Sequence, residues 1–227
     1  MTPTYAGERT LRKLSKTSIS PWKRLITEGA VIVASILLAF AIDAWWDEHR
    51  KNDDIREVLS LVEIETKTNL SNLAKSIEHH EKILMAIRAA HDEQSIKSVI
   101  GDAVIDVEVF ESTADALQTL ISTGMLGAID DVDLRIALIA FDGLAKDLME
   151  REVAAASFRD FARRRIASLG VRIYDDVPNS SPVFEDIEVL NLLAMRASEE
   201  KNAISSGQKL KAHLQSIALK LGALDKL

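Results

Sequence analysis

The side chains suited to chemistry are few. The chain has five histidines and no cysteine, which excludes thiol nucleophiles, disulfides and Cys-ligated metals. His79 and His80 lie in the run Glu78-His79-His80-Glu81, the densest group of possible ligands. Adjacent helical residues point about 100° apart, so these two rings do not converge on one ion. His80 and His91 are separated by about 16 Å of helix, too far to share a metal. The plain reading is of polar residues on a helix seam that set register. The sharper one is protonation of seam histidines as a pH sensor.

Other candidates fare no better as catalysts. Asp130, Asp131 and Asp133 lack the central glycine and later glutamate of a calcium loop and are better placed to cap a helix. Gly124 and Gly127 are not followed by the Lys-Ser/Thr of a phosphate loop. No serine sits in a Gly-x-Ser-x-Gly elbow. The expectation is therefore a non-catalytic protein with no cofactor and no metal. Glu28 is the acid with most functional promise. It stands at the edge of an apolar run, where it can pair with Lys23, Arg24 or another subunit, or snorkel to an interface.

The elements that carry these residues are helical by composition. The chain has 227 residues with only nine glycines and four prolines, and positions 22 to 177 hold no proline. That argues against a turn-rich β fold. Hydrophobic residues make up 47% of the chain, too many for a disordered one. Net charge is −7, yet the first 24 residues are basic, with Arg9, Arg12, Lys13, Lys16, Lys23 and Arg24 against Glu8 alone. An acidic remainder speaks against nucleic acid as a partner.

Directly after the basic arm, Gly29 to Ile42 carries no charge and only Ser35 as a polar residue. Extending from Leu25 to Trp46 gives about 33 Å of helix, enough to cross a bilayer. Its large apolar residues favour insertion by about 5 kcal/mol before the penalties of Glu28 and Asp43. Trp22, Trp45 and Trp46 bracket the segment, as interfacial tryptophans do. A cleaved signal peptide, with Ala39-Phe40-Ala41 as its small-x-small site, and a buried core helix are the competing readings. The long leader and the tryptophans oppose the first, and the flanking charges oppose the second. The Lys/Arg bias puts the N-terminus in the cytoplasm. The expected organisation is a basic arm over 1–24, a span over 25–46 and an extracytoplasmic helical domain over 47–227. Ala30/Ala34 and Ser35/Ala39 are small-x-x-x-small pairs that permit close helix approach.

Three long apolar lines follow. The first runs Ile55, Leu59, Val62, Thr66, Leu70, Leu73, Ile77, His80, Leu84, Ile87, His91, a heptad seam with one stutter near Thr66. It continues from Trp46 without a break. Residues 93 to 111 interrupt it, and the alternation at 104–110 suggests a strand-like connector. A short helix from about Ser112 to Thr123 ends at Gly124, and Asp130 or Asp131 can cap the next. That helix shows Leu134, Phe141, Leu148, Ala155, Ala162 and Leu169 in sevens, and it stops at Gly170. After a Pro/Ser/Asn loop, a last helix from about Phe184 to about Leu224 shows Ile187, Leu190, Ala194, Ala197, Lys201, Ile204, Gly207, Leu210, Leu214, Ile217, Leu221 and Leu224. Such single stripes satisfy one another in an all-α bundle of long antiparallel helices, or between copies as a coiled coil.

Two blocks carry a resemblance. Glu28 to Glu48 resembles the opening of a group of bacterial single-pass membrane proteins of unassigned function: a glutamate, an apolar run, then tryptophan and acids. Glu28, Ala39, Ile42, Asp43, Trp45 and Asp47 fall in register. Ala116 to Leu138 is similar to that group's central motif, with Ser122, Gly124, Leu126, Ile129, Asp130, Leu134 and Arg135 matching. Where the group carries an aromatic near the start of this helix, Ala114 stands here, with Phe110 upstream. The resemblance implies an anchored helical protein of the bacterial inner membrane; the group has no assigned activity, so function is left open. The expected role is a scaffold, adaptor or accessory subunit, with the lipid bilayer and another membrane or envelope protein, or a second copy, as partners. The alternative is an extracytoplasmic ligand or stress sensor that signals through a partner.

Overall fold

The computed structural model describes residues 21–89, 109–171, 183 and 185–224. The basic arm to residue 20, most of the 93–111 connector, His91 and most of the Gly170–Phe184 loop lie outside the described residues. Within them the protein is all-α, with four helices that pack antiparallel: α1 (Pro21–Ala89), α2 (Asp115–Ser122), α3 (Val132–Ser168) and α4 (Ile187–Leu224). A 3₁₀ turn, Met125–Ala128, stands between α2 and α3. By contacts the chain divides into two compact units, one ending at Asn52 and one beginning at Asp53.

The second unit is the bundle, and its helices bury the stripes that the heptads dictate. On α1, Ile55, Val62, Thr66, Leu73, Ile77, His80 and Leu84 are buried, while Leu59, Leu70 and Ile87 are half-buried. On α3, Leu134, Phe141, Leu148, Ala155 and Ala162 are buried in their predicted sevens. The helix ends at Ser168, and just past its cap Gly170 turns the chain with a φ of 78° that suits a residue without a Cβ. α4 follows the predicted line from Gly207 through Leu221. Gly207 has to be small, because a Cβ there would stand 2.9 Å from Ile77 Cγ1.

The first half of α4 departs from the sequence reading. Ile187 is 74% exposed and Leu190 38% exposed, and Ala194 and Lys201 face solvent. The buried positions are Val189, Leu193, Arg196, Glu200 and Ala203. An apolar line traced through the sequence avoids charges. This helix instead turns two charges inward: Glu200 meets His80 of α1, and Arg196 pairs with Glu200 one turn along α4.

The short α2 is held from outside. Its N-terminal position, Ala114, offers no capping side chain. The Glu65 carboxylate on α1 accepts from the amides of Ala116 (2.7 Å) and Leu117 (3.4 Å), which would otherwise lack acceptors. Buried Asn69 donates to the Thr113 carbonyl (2.7 Å) and accepts from the Thr113 amide (2.9 Å). These contacts, with Leu117 and Leu120 buried beneath, fix α2 against α1.

Candidate functional site

Two features stand out above ordinary packing. The first is a charged layer inside the bundle. A large apolar cluster reaches Ile77 on α1, Leu148 on α3 and Ala203 on α4. A smaller one, among the described residues, begins at Ile83 on α1 and includes Ile166, Val183, Val189 and Leu193. Between these limits lie His80 on α1, Glu152 on α3 and Arg196 and Glu200 on α4, and Ser76, one turn before His80, joins them to complete the layer. Each is no more than 4% exposed.

The layer is closely bonded. His80 Nδ1 lies 2.5 Å from Glu200 Oε2, and His80 Nε2 lies 3.1 Å from Glu152 Oε1. Arg196 Nε donates to Glu200 Oε1 at 2.9 Å. Ser76 Oγ donates to Glu152 Oε1 at 2.8 Å, and the Phe110 amide donates to Glu152 Oε2 at 2.9 Å. With a carboxylate at each ring nitrogen, both nitrogens are served as donors only in the imidazolium form. Two cations then face two carboxylates, and the layer is neutral as a whole. That balance makes burial of four ionisable groups tolerable.

The proton affinities follow. Burial pushes the His80 imidazolium down, but hydrogen bonds and charge from Glu152 and Glu200 outweigh it and raise its pKa to about 9. Burial pushes the Glu200 carboxyl up, and His80 and Arg196 more than reverse this, holding it below its ordinary value. A raised histidine contributes stability that is complete below its unfolded pKa of 6.5 and lost as pH rises through about 9. A depressed carboxylate contributes stability present above its unfolded pKa of 4.5 and lost as pH falls through its folded value. Both contributions are whole only between about pH 4.5 and 6.5.

The second feature is the apolar segment of α1. From Leu25 through Trp46 every side chain is exposed, with Val31, Ile32, Val33, Leu37, Leu38 and Phe40 each more than half so. The helix is long and apolar enough to cross a membrane, its best stretch having a mean hydropathy of 2.4 with none of it buried. Glu28 and Asp43 are exposed near its two ends, as are Trp22, Trp45 and Trp46. Trp45 stacks on His49, with ring planes 8° apart and centroids at 5.5 Å.

The remaining sequence candidates form one turn. Ser122 closes α2, and Gly124 takes φ 74° to reverse the chain into the 3₁₀ turn. Asp131, not Asp130, caps α3, its Oδ1 accepting from the Leu134 amide at 2.9 Å. Leu134 is fully buried, and Arg135 reaches back to the Gly127 carbonyl at 3.3 Å. Asp130 is exposed. The motif thus builds the α2–α3 corner and gathers no reactive groups. Among the described residues no group of three or more His, Asp or Glu side chains is arranged to hold a metal ion.

Sequence reasoning identified His80 as a seam residue and missed its partners. The signal was present: Glu152 falls between Leu148 and Ala155 on the buried line of α3, a carboxylate at a core position. No protein-family model, curated protein or solved structure matches the chain.

Proposed function

We propose that the chain is a single-pass membrane protein, with residues 25–46 in the bilayer and its N-terminus in the cytoplasm. In this reading the helical domain stands outside the inner membrane as a non-catalytic scaffold, adaptor or accessory subunit. The observation that carries it is the uncovered apolar surface from Leu25 to Trp46, which a water-facing helix does not tolerate. The basic arm before it and the acidic, Trp-flanked end after it support the orientation. The enclosure of His80, Glu152 and Glu200, each no more than 4% exposed, supports a non-catalytic role. The likeness of Glu28–Glu48 and Ala116–Leu138 to a group of anchored bacterial proteins points the same way.

Exposed apolar side chains on α3, Ile136 (60% exposed) and Ile139 (59%), mark a face on which a partner can be sought. A photo-crosslinking residue at either position, in full-length protein in native membranes, is expected to give one discrete adduct with a membrane or envelope protein or a second copy. Adducts confined to lipid, or none, would defeat the adaptor reading. A stress-sensing role is the second reading, and the charged layer is the observation that favours it.

A further inference from the structure

The charged layer separates two apolar clusters of very different size. On one side lies the large cluster that α1, α2, α3 and α4 share. On the other, the described residues give five buried ones, Ile83, Ile166, Val183, Val189 and Leu193, with Ala86, Ile87, Leu169 and Val171 partly buried against them. Among the described residues this is the smaller apolar cluster, so less buried surface holds it beside the layer. The other polar clamp at this end is partly exposed. Arg165 Nη2 donates to Asp186 Oδ2 at 2.6 Å, and Asp186 Oδ1 accepts from the Val189 amide at 2.9 Å to cap α4.

We infer that the layer is a proton-operated latch: loss of the His80 proton releases the Ile83–Val189–Leu193 end of the bundle while the large cluster stays folded. Among the described residues, these groups face His80. Glu152 approaches from α3, Glu200 with Arg196 behind it from α4, and Ser76 lies one turn back on α1. His79 abuts the ring edge-on with centroids 5.9 Å apart.

With His80 charged, two cations balance two carboxylates. Without its proton, Arg196, bonded to Glu200, is the one cation left among these four groups. One ring nitrogen then also presents a lone pair to a carboxylate oxygen, and a hydrogen bond becomes a repulsion. Among the described residues the smaller cluster lies on the Ile83–Val189–Leu193 side, and water relieves the repulsion from there. Opening on the alkaline side is the consequence, and it does not depend on residues 25–46 being in a membrane.

The chain has no native cysteine, so paired dyes can be introduced without removing one. The test uses full-length protein in detergent micelles, with a short-range donor–acceptor pair at Met85→Cys and Ile187→Cys across the small cluster. A second pair, at Ile64→Cys and Leu219→Cys, reports on the large one; all four positions are exposed. The first pair is expected to separate with a midpoint near pH 9 while the second holds. Glu200→Gln removes one of the two carboxylates that retain the proton and is expected to lower that midpoint by about one pH unit or more. Simultaneous separation of both pairs, no separation of the first up to pH 10, or an unmoved midpoint in Glu200→Gln would each overturn the latch. The unsubstituted layer alone decides the first two outcomes, so the inference stays testable if the variant misfolds.

Discussion

Glu200→Ala is expected to destabilise the helical domain by about 3–5 kcal/mol at pH 6, the loss typical of breaking a buried ion pair by removing one partner. Glu200 is 1% exposed and accepts from both His80 and Arg196. Its removal leaves two enclosed cations with one carboxylate between them. For a domain of this size the midpoint of thermal unfolding should fall by about 6–20 °C.

The converse experiment separates stability from specificity. Replacing the layer together, with His80→Leu, Glu152→Gln, Arg196→Met and Glu200→Leu, leaves no buried charge. In Glu152→Gln the amide oxygen still accepts from the Phe110 amide, and the NH2 group donates to the Ser76 hydroxyl, which turns to accept it. This variant is expected to recover most of the loss, because ion pairs in cores are often replaceable by apolar groups. What it should lose is the unique rotation of α4. Circular dichroism melts measure the first effect. Dispersion of methyl signals in nuclear magnetic resonance measures the second. A Glu200→Ala protein as stable as the parent would mean that the layer is not bonded as described.

The second large effect concerns the apolar segment. Val33→Arg with Leu37→Arg introduces two charges near its middle and removes two apolar residues. At about 3 kcal/mol for each arginine plus the lost apolar contribution, the change comes to about 7 kcal/mol. That exceeds the roughly 5 kcal/mol by which the segment favours insertion. Both side chains are more than half exposed, so the substitutions disturb little protein packing. The variant is expected to leave the membrane fraction, while Val33→Leu with Leu37→Val stays. An arginine variant that sediments with membranes like the parent would argue that lipid burial is not what these residues do.

How much of this was legible in the sequence depends on the kind of residue. Single apolar stripes on α1 and α3 could be traced because a narrow seam must pack against another helix, and Leu134, Phe141, Leu148 and Ile77 are buried as the heptads require. Gly124 and Gly170 announced their turns, and both have positive φ. The first half of α4 was misread because it offers two lines about 100° apart. One, through Ile187, Leu190 and Ala194, is the more apolar. The other, through Val189, Leu193, Arg196 and Glu200, is the one buried. Hydrophobic periodicity cannot prefer a line that contains two charges. Only the pairing across helices, of His80 with Glu152 and Glu200, makes that face the inner one. Glu65 and Asn69 escaped notice for the same reason, since the backbone groups they satisfy lie some 44 to 52 positions away.

The membrane reading is tested most directly on the unmodified full-length protein in bacterial spheroplasts, carrying an N-terminal tag. External protease followed by alkaline carbonate extraction is expected to digest the helical domain and leave a tagged fragment of roughly 46 residues in the membrane pellet. Release of the intact chain by carbonate, or survival of the helical domain in intact spheroplasts, would contradict an anchored protein with its bundle outside.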